Sequence, residues 1–175
     1  MTTHASPPSS AVSPGDPSWT SLSVPESHPA VVVGAHGGCG TTTVAAHLRG
    51  SHEVDLEEAA SSTTGRCFVV AAATADGTSL AVRAIHRLEL AGYPCDQLHL
   101  VLVRDGRGPL PVSARARLRL LSSVVGGVTV LPHVQRWRYE RSEQRSRSRR
   151  YDSAVARLER AVAPSVPAPA RGGRR

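Results

Sequence analysis

The chain has 175 residues, enough for one modest domain with tails, and its net charge is +7 because its 21 basic residues, all arginine, outnumber the 14 acidic ones. Three cysteines, Cys39, Cys67 and Cys95, are too few and too far apart for a disulfide framework or a C-x-x-C metal site. No apolar run approaches the roughly 18–20 residues of a membrane span, and residues 1–29 lack the regions of a signal peptide, so we expect a cytoplasmic protein.

The charge and the composition divide the chain into three parts. Residues 1–28 are rich in serine, proline and threonine, which predicts a disordered tail. Residues 29–138 are predicted to form the folded domain, and residues 139–175 an arginine-rich segment with a short helix and a disordered end. Residues 136–175 hold 12 arginines and four acidic residues, a net charge of +8, which leaves −1 of the total +7 for residues 1–135.

The first predicted element of the domain is a strand that leads into a glycine-rich turn. Val31, Val32 and Val33 form a short β-branched run typical of a buried strand. Glycines follow between residues 34 and 40, and Thr41–Thr43 open a segment that can start a helix. Such a turn allows an anion close to the backbone, and the free N–H groups of the helix start point at it. The stretch therefore predicts a phosphate cradle, with a ligand-free glycine turn as the alternative.

The cradle fits the P-loop pattern G-x-x-x-x-G-K-[ST] only in part. Placing Gly40 at the second glycine puts Ala35 at the first, Thr41 at the lysine and Thr42 at the hydroxyl that binds Mg²⁺. The backbone and the hydroxyl are kept, whereas the lysine is lost. Selection for charge would be expected to leave arginine at this position, because the chain uses arginine throughout.

Residues 50–66 carry an acidic patch followed by a predicted loop at 61–65, and no hydrophobic run ends in aspartate there. The downstream pattern alternates apolar runs with helical spacers, which predicts parallel strands with right-handed crossovers. One helix is expected to be capped by Thr78 or Ser79 and to end before Gly92. A second is expected from Ser113, although its alternating sequence leaves a strand open. The further predicted elements are strands at 67–73, 98–103 and 128–131 and a short helix at 151–162.

Residues His36 to Thr43 resemble the variant P-loop of the ParA/MinD-type ATPases, which reads K-G-G-x-G-K-[ST]-[ST]. The apolar strands after residue 66 are also similar in order to the second half of that family. In the family, the region after the P-loop carries a switch-region aspartate and the Walker B aspartate. Here either Asp55 or Glu57 serves in their place, or, as we expect, this Mg²⁺ and water machinery is missing. The resemblance implies an α/β fold, a small three-layer P-loop NTPase-like domain with a mainly parallel sheet. It also implies Thr42 as the Mg²⁺ ligand and a set of nucleotide-binding residues, which are Gly34, His36, Gly37, Gly38, Cys39, Gly40, Thr41, Thr42 and Thr43.

Both family lysines are replaced, by His36 and Thr41, and the asparagine that reads the base in the family is absent near Val103 and Arg104. The expected function is therefore weak binding of ATP or GTP with Mg²⁺, or a scaffold role with no nucleotide, without efficient hydrolysis. No catalytic residue is predicted, and a slow ATPase remains an alternative if a partner supplies the cation. His36, Arg49, Arg104 and Arg107 are the candidates to replace the lost charge within the chain.

The alternative function is nucleic-acid binding through Arg136–Arg150, where arginines stand beside Trp137, Tyr139 and Tyr151. A solubilising tail explains the same residues. A protein partner or a homodimer is a further expectation. In either case four loops are expected to converge at the carboxyl ends of the strands, at 34–43, 74–78, 104–108 and 132–138. Asp76 and Asp105 are the acidic candidates there, or ordinary turn residues.

Overall fold

The structure is a computed structural model that describes residues 30–106 and 108–162, so the predicted tails lie outside the described residues, as does Arg107. Its centre is a five-stranded, all-parallel sheet in the order β2-β1-β3-β4-β5. The predicted α/β fold is therefore confirmed. The strands are β1 Ala30–Gly34, β2 Ser51–Val54, β3 Cys67–Ala72, β4 Leu98–Val103 and β5 Gly127–Leu131.

Five α-helices connect and flank these strands. The helices are α1 Thr41–His47, α2 Leu56–Ser61, α3 Ala75–Leu90, α4 Val112–Leu121 and α5 Arg149–Val162, with short 3-10 turns at Cys95–Gln97, Gln135–Arg138 and Ser142–Gln144. In the part of the chain that is described, no helix has both the length and the apolar character that a membrane span needs.

Two hydrophobic clusters fix the helices on opposite faces of the sheet. Residues of α2, α3 and α4 pack with Val69, Leu100 and Leu102 on one face. Residues of α1 and α5 pack with Val32 and Phe68 on the other. Because both faces are covered, β3 and β4 are near-continuous apolar runs, which explains why their sequences predict them well. The domain has the expected three layers.

The acidic stretch after α1 holds a strand and a helix that the sequence pattern did not predict. In the edge strand β2 only Val54 is buried, so no apolar run marks it. Asp55 follows directly and caps α2, because its Oδ1 accepts a 2.7 Å hydrogen bond from the N–H of Glu58. Asp55 thus lies at the carboxyl end of a strand adjacent to β1.

Two helix starts differ from the predictions. Thr74 caps α3, since its hydroxyl accepts a 2.9 Å hydrogen bond from the N–H of Gly77, whereas the predicted cap Thr78 lies inside the helix and is buried. The turn is tight, because a Cβ on Gly77 would lie 2.3 Å from the carbonyl oxygen of Ala72. Helix α4 begins at Val112 without a side-chain cap, so Ser113 is not its cap, and the strand alternative is wrong there.

Helix α5 contains the short helix predicted at 151–162 and begins two residues earlier, at Arg149. Its residues Tyr151, Ala154, Val155 and Leu158 are buried in the cluster that α1 also joins. The predicted domain boundary at residue 138 stays a prediction. Helix α5, which belongs to the arginine-rich segment, packs on the sheet.

Candidate functional site

The glycine loop follows β1 at the point where the strand order reverses, since β2 lies on one side of β1 and β3–β5 on the other. Open parallel sheets bind ligands at such a switch point, beyond the carboxyl ends of the strands. The N–H of Ala35 still bonds to Val70. Gly38 and Gly40 then adopt left-handed conformations, with φ of 73° and 96°, and α1 begins immediately after Gly40. The sequence therefore places a sharp glycine turn directly against a helix start.

Two clefts open beside this loop. The larger, called the loop cleft, has a volume of about 630 Å³ and is lined by Glu53, Asp55, Glu58 and Arg145 together with the loop. Eight of the nine predicted nucleotide-binding residues line it, namely Gly34, His36, Gly37, Gly38, Gly40, Thr41, Thr42 and Thr43.

The smaller cleft has a volume of about 220 Å³ and lies between the glycine loop, the ends of β4 and β5, and residues 135–148, which we call the strap. We call this space the strap cleft. The ninth predicted residue, Cys39, is buried and lines the strap cleft. Three of the four predicted loops contribute to it, and the fourth, through Thr74, meets Arg104 and Asp105 in a neighbouring cleft, as expected for the same edge of the sheet.

Thr41, at the position of the family lysine, points into the protein. It is buried, and its Oγ1 lies 3.1 Å from Cys39 Sγ. A Cβ on Gly34 would lie 2.5 Å from the same oxygen, so Thr41 needs the glycine opposite it. Thr42, by contrast, is exposed on the loop cleft, where its hydroxyl is free to reach a ligand.

His36, at the position of the other family lysine, ties the loop to β3. Its Nε2 accepts a 3.2 Å hydrogen bond from the N–H of Ala72, and its Nδ1 lies 2.9 Å from the carbonyl oxygen of Gly37. These partners assign the proton to Nδ1 in a neutral ring, because a nitrogen that accepts from an N–H carries no proton. In this arrangement His36 is a neutral cross-link.

Arg145 reaches the glycine loop from the strap and lines both clefts. Its Nη1 donates a 2.6 Å hydrogen bond to Oγ1 of Thr43, and its guanidinium lies 5.6 Å from the centre of the Trp137 ring. Its Nε is buried without a hydrogen-bond partner among the described residues. No local pattern pointed to this arginine, because it lies 102 residues from Thr43 in the chain.

Three arginines were predicted as replacements for the lost lysine charge, and neither of the two that the structure describes lines the loop cleft. Arg104 lines the strap cleft, and its guanidinium bonds to the carbonyl oxygen of Gly108. Arg49 lines neither cleft, and Arg107 lies outside the described residues. Of the acidic candidates, Asp105 pairs with Arg138, whereas Asp76 lies in the first turn of α3 and lines neither cleft.

The strap is held together by Glu140 and Trp137. The Glu140 carboxylate accepts 2.7 Å hydrogen bonds from both the N–H and the hydroxyl of Ser146, and these bonds lower the pKa of Glu140 from its ordinary value. Trp137 Nε1 donates a 2.8 Å hydrogen bond to the carbonyl oxygen of Ser146. Both contacts hold Ser146, which is the residue next to Arg145.

Two of the three aromatic residues predicted for nucleic-acid stacking pack inside the domain. The rings of Trp137 and Tyr151 lie 4.7 Å apart, and both contact His47. Tyr151 is 2% exposed, and its hydroxyl has no hydrogen-bond partner in the described part of the chain. Burial raises the pKa of the Tyr151 phenol, opposed in part by Arg145, so this hydroxyl is a donor near neutral pH. Tyr139 is 83% exposed.

The two clefts differ in charge. The loop cleft carries three carboxylates and one arginine, whereas Arg104, Arg138 and Arg145 line the strap cleft with a single carboxylate. Within residues 30–106 and 108–162, no three His, Cys, Asp or Glu side chains form a group that could hold a metal ion.

No family model, curated protein or solved structure matches this chain. The resemblance to the ParA/MinD-type ATPases therefore stays a prediction from the sequence.

Proposed function

We propose that this chain is a degenerate P-loop protein, related to the ParA/MinD-type ATPases, that binds the phosphate groups of ATP or GTP weakly in the clefts beside the glycine loop. The observation that carries the proposal is the placement of Gly37, Gly38, Gly40 and Thr42 around one open cleft at the switch point of a parallel sheet. Backbone N–H groups in such a turn favour an anion.

Mg²⁺ fits this proposal as a companion of the phosphates. Thr42 offers an exposed hydroxyl, and Asp55 lies on the same cleft at the end of β2. Oδ1 of Asp55 is occupied by the cap of α2, which leaves Oδ2 for a hydrated ion. The three carboxylates of this cleft repel phosphates, and Mg²⁺ would supply positive charge beside them.

Efficient hydrolysis is not part of the proposal, because neither lysine position brings a charge to the ligand. Thr41 points inward and His36 is bonded to β3. Loss of one charge-assisted hydrogen bond of roughly 1.5–3 kcal/mol weakens binding about tenfold to a hundredfold. A dissociation constant of about 0.1 mM or weaker follows from a micromolar starting point.

The test is a calorimetric titration of the whole chain with ATP and GTP, each with Mg²⁺. The blocking variant is Gly37→Asp, because Gly37 has an ordinary φ and no atom within 4 Å of the position of a Cβ. Gly37→Asn is the matched control of equal size without the charge. Saturable binding that Gly37→Asp loses, and Gly37→Asn weakens less, supports the proposal. No binding at several millimolar nucleotide leaves the fold as a scaffold.

A second candidate is nucleic-acid binding through Arg136–Arg150, which the exposed ring of Tyr139 favours. Tyr139 lies with Arg136 and Arg150 along a groove of about 510 Å³. A free aromatic ring between arginines suits base stacking and phosphate contact. Retention of single-stranded DNA that falls with added salt and is lost in Tyr139→Ala supports this candidate, and equal retention by Tyr139→Ala opposes it.

A further inference from the structure

The phosphate cradle lacks a cation of its own, although a bound phosphate carries at least one negative charge. Thr41 and His36 hold the two lysine positions with neutral groups that are bonded inside the protein. Backbone N–H groups alone leave this charge uncompensated beside the three carboxylates of the loop cleft. Besides the proposed Mg²⁺, a cation from elsewhere in the chain can compensate this charge.

We propose that Arg145 takes the place of the missing lysine, so that the terminal phosphate group of the ligand reaches into the strap cleft, against Gly38, Arg145 and Tyr151. This inference rests on the proposed binding of a phosphate ligand. Arg145 is the only arginine that lines both clefts among the described residues. Two residues that line the strap cleft each hold a buried polar atom without a hydrogen-bond partner in the described chain, namely Nε of Arg145 and the hydroxyl of Tyr151. Both are donors, which is what an anion requires.

Charge and size separate the roles of the two clefts. The strap cleft has three arginines and one carboxylate, so it attracts an anion, whereas the loop cleft has the opposite balance. At about 220 Å³ the strap cleft is also smaller than the roughly 300–1,000 Å³ of clefts that hold drug-sized ligands. It suits one terminal phosphate group. The loop cleft, at about 630 Å³, suits the rest of the ligand, including the phosphate that binds Mg²⁺ beside Thr42.

Arg145 is held in place before any ligand binds. Its guanidinium is bonded to Thr43 and lies over Trp137, while Glu140 and Trp137 both bond to the adjacent Ser146. A guanidinium that is already oriented loses less conformational entropy when it binds a phosphate. The strap therefore positions Arg145 for the ligand.

The experiment titrates the whole chain with inorganic pyrophosphate, with ATP and Mg²⁺, and with adenosine. Three variants test the assignment: Arg145→Gln removes the charge, Arg145→Lys keeps it, and Tyr151→Phe removes only the unpartnered hydroxyl. Arg141→Gln is the matched control, because Arg141 is an exposed arginine of the same strap that lines neither cleft. Thermal unfolding of each variant reports whether it folds.

We expect pyrophosphate and ATP to bind the wild type while adenosine binds far more weakly. Arg145→Gln and Tyr151→Phe should each weaken pyrophosphate binding roughly tenfold or more, with partial recovery in Arg145→Lys and no change in Arg141→Gln. If Arg145→Gln does not fold, Arg145→Lys and Tyr151→Phe decide. Unchanged affinity in these variants, together with loss in Gly37→Asp, overturns the role of Arg145 and keeps the proposed function. A wild type that binds neither pyrophosphate nor ATP overturns both.

Discussion

Arg145 and Thr43 are joined by a 2.6 Å hydrogen bond from Nη1 to Oγ1, although they are 102 residues apart in the sequence. Thr43 lies in the first turn of α1, and Arg145 lies in the strap that precedes α5. The bond therefore connects the first turn of α1 to the strap, and both residues line the two clefts.

Thr43→Val should lower the free energy of unfolding by about 1 kcal/mol, because it removes the acceptor for Arg145 while keeping the shape of the side chain. Urea denaturation followed by circular dichroism measures this change. Thr43→Ser keeps the hydroxyl and should stay close to the wild type. A loss in Thr43→Ser with none in Thr43→Val would mean that packing of the Thr43 methyl group, and not the hydrogen bond, is what matters.

Tyr151→Phe should leave the free energy of unfolding unchanged or raise it by about 1 kcal/mol, since an unpaired buried hydroxyl is costly. Tyr93→Phe is the matched control. Tyr93 is equally buried, at 2% exposure, but its hydroxyl donates a 2.9 Å hydrogen bond to the carbonyl oxygen of Gly65. Loss of this hydrogen bond in Tyr93→Phe should lower the free energy of unfolding by about 1 kcal/mol. The same denaturation experiment compares both, and a destabilised Tyr151→Phe would show that its hydroxyl is already bonded.

Stability should fall in acid because of His99, a buried residue of β4. Burial lowers the pKa of His99 to about 4, with a further contribution from Arg66, and its Nε2 lies 2.9 Å from Thr129 Oγ1. In the unfolded chain His99 binds a proton near pH 6.5, whereas in the folded protein it stays neutral down to about pH 4. Its contribution to the free energy of unfolding is therefore complete above pH 6.5 and is lost as the pH falls toward 4. The maximum loss is about 3 kcal/mol.

Urea denaturation between pH 7.5 and pH 4.5 measures this dependence in the wild type, in His99→Gln and in the control His52→Gln, which changes an exposed histidine of β2. We expect His99→Gln to flatten the dependence and His52→Gln to keep it. Equal slopes in wild type and His99→Gln would assign the acid sensitivity to other groups.

Gly126→Ala should be strongly destabilising, by about 2 kcal/mol or more, because its Cβ would lie 2.0 Å from the carbonyl oxygen of Asp96. That oxygen belongs to the backbone and cannot move independently. Gly37→Ala provides the control, since its Cβ would enter open space, and thermal unfolding compares the two. A normal melting temperature for Gly126→Ala would contradict the close packing before β5.

The elements that the sequence predicted are those whose own residues carry the signal. Strands β1, β3 and β4 are apolar runs covered on both faces, so their composition reflects their burial. Strand β2 lies at the sheet edge and has one buried residue, Val54. It is defined by its pairing with β1, as between Val54 and Val33, and a local sequence pattern does not predict such pairing. The cap of α3 at Thr74 likewise depends on the close approach of Gly77 to β3.

The candidate site was predicted only in its contiguous part. Residues 34–43 form the turn through their own backbone conformation, so their order predicts it. Asp55 and Arg145 are brought to the loop by strand pairing and by the strap, through contacts that span many residues. The sequence offered His36 as a replacement for a lysine. Its hydrogen bond to Ala72 could not be predicted, because that bond depends on where β3 lies in the fold.

The most direct test of phosphate binding at the glycine loop is a nuclear magnetic resonance titration of the ¹⁵N-labelled chain with inorganic pyrophosphate. We predict that the amide signals of Gly37, Gly38, Gly40 and Thr42 shift together and saturate, along with the side-chain signal of Arg145. Signals that stay unchanged at several millimolar pyrophosphate, or shifts confined to the surface around Tyr139, would contradict the account.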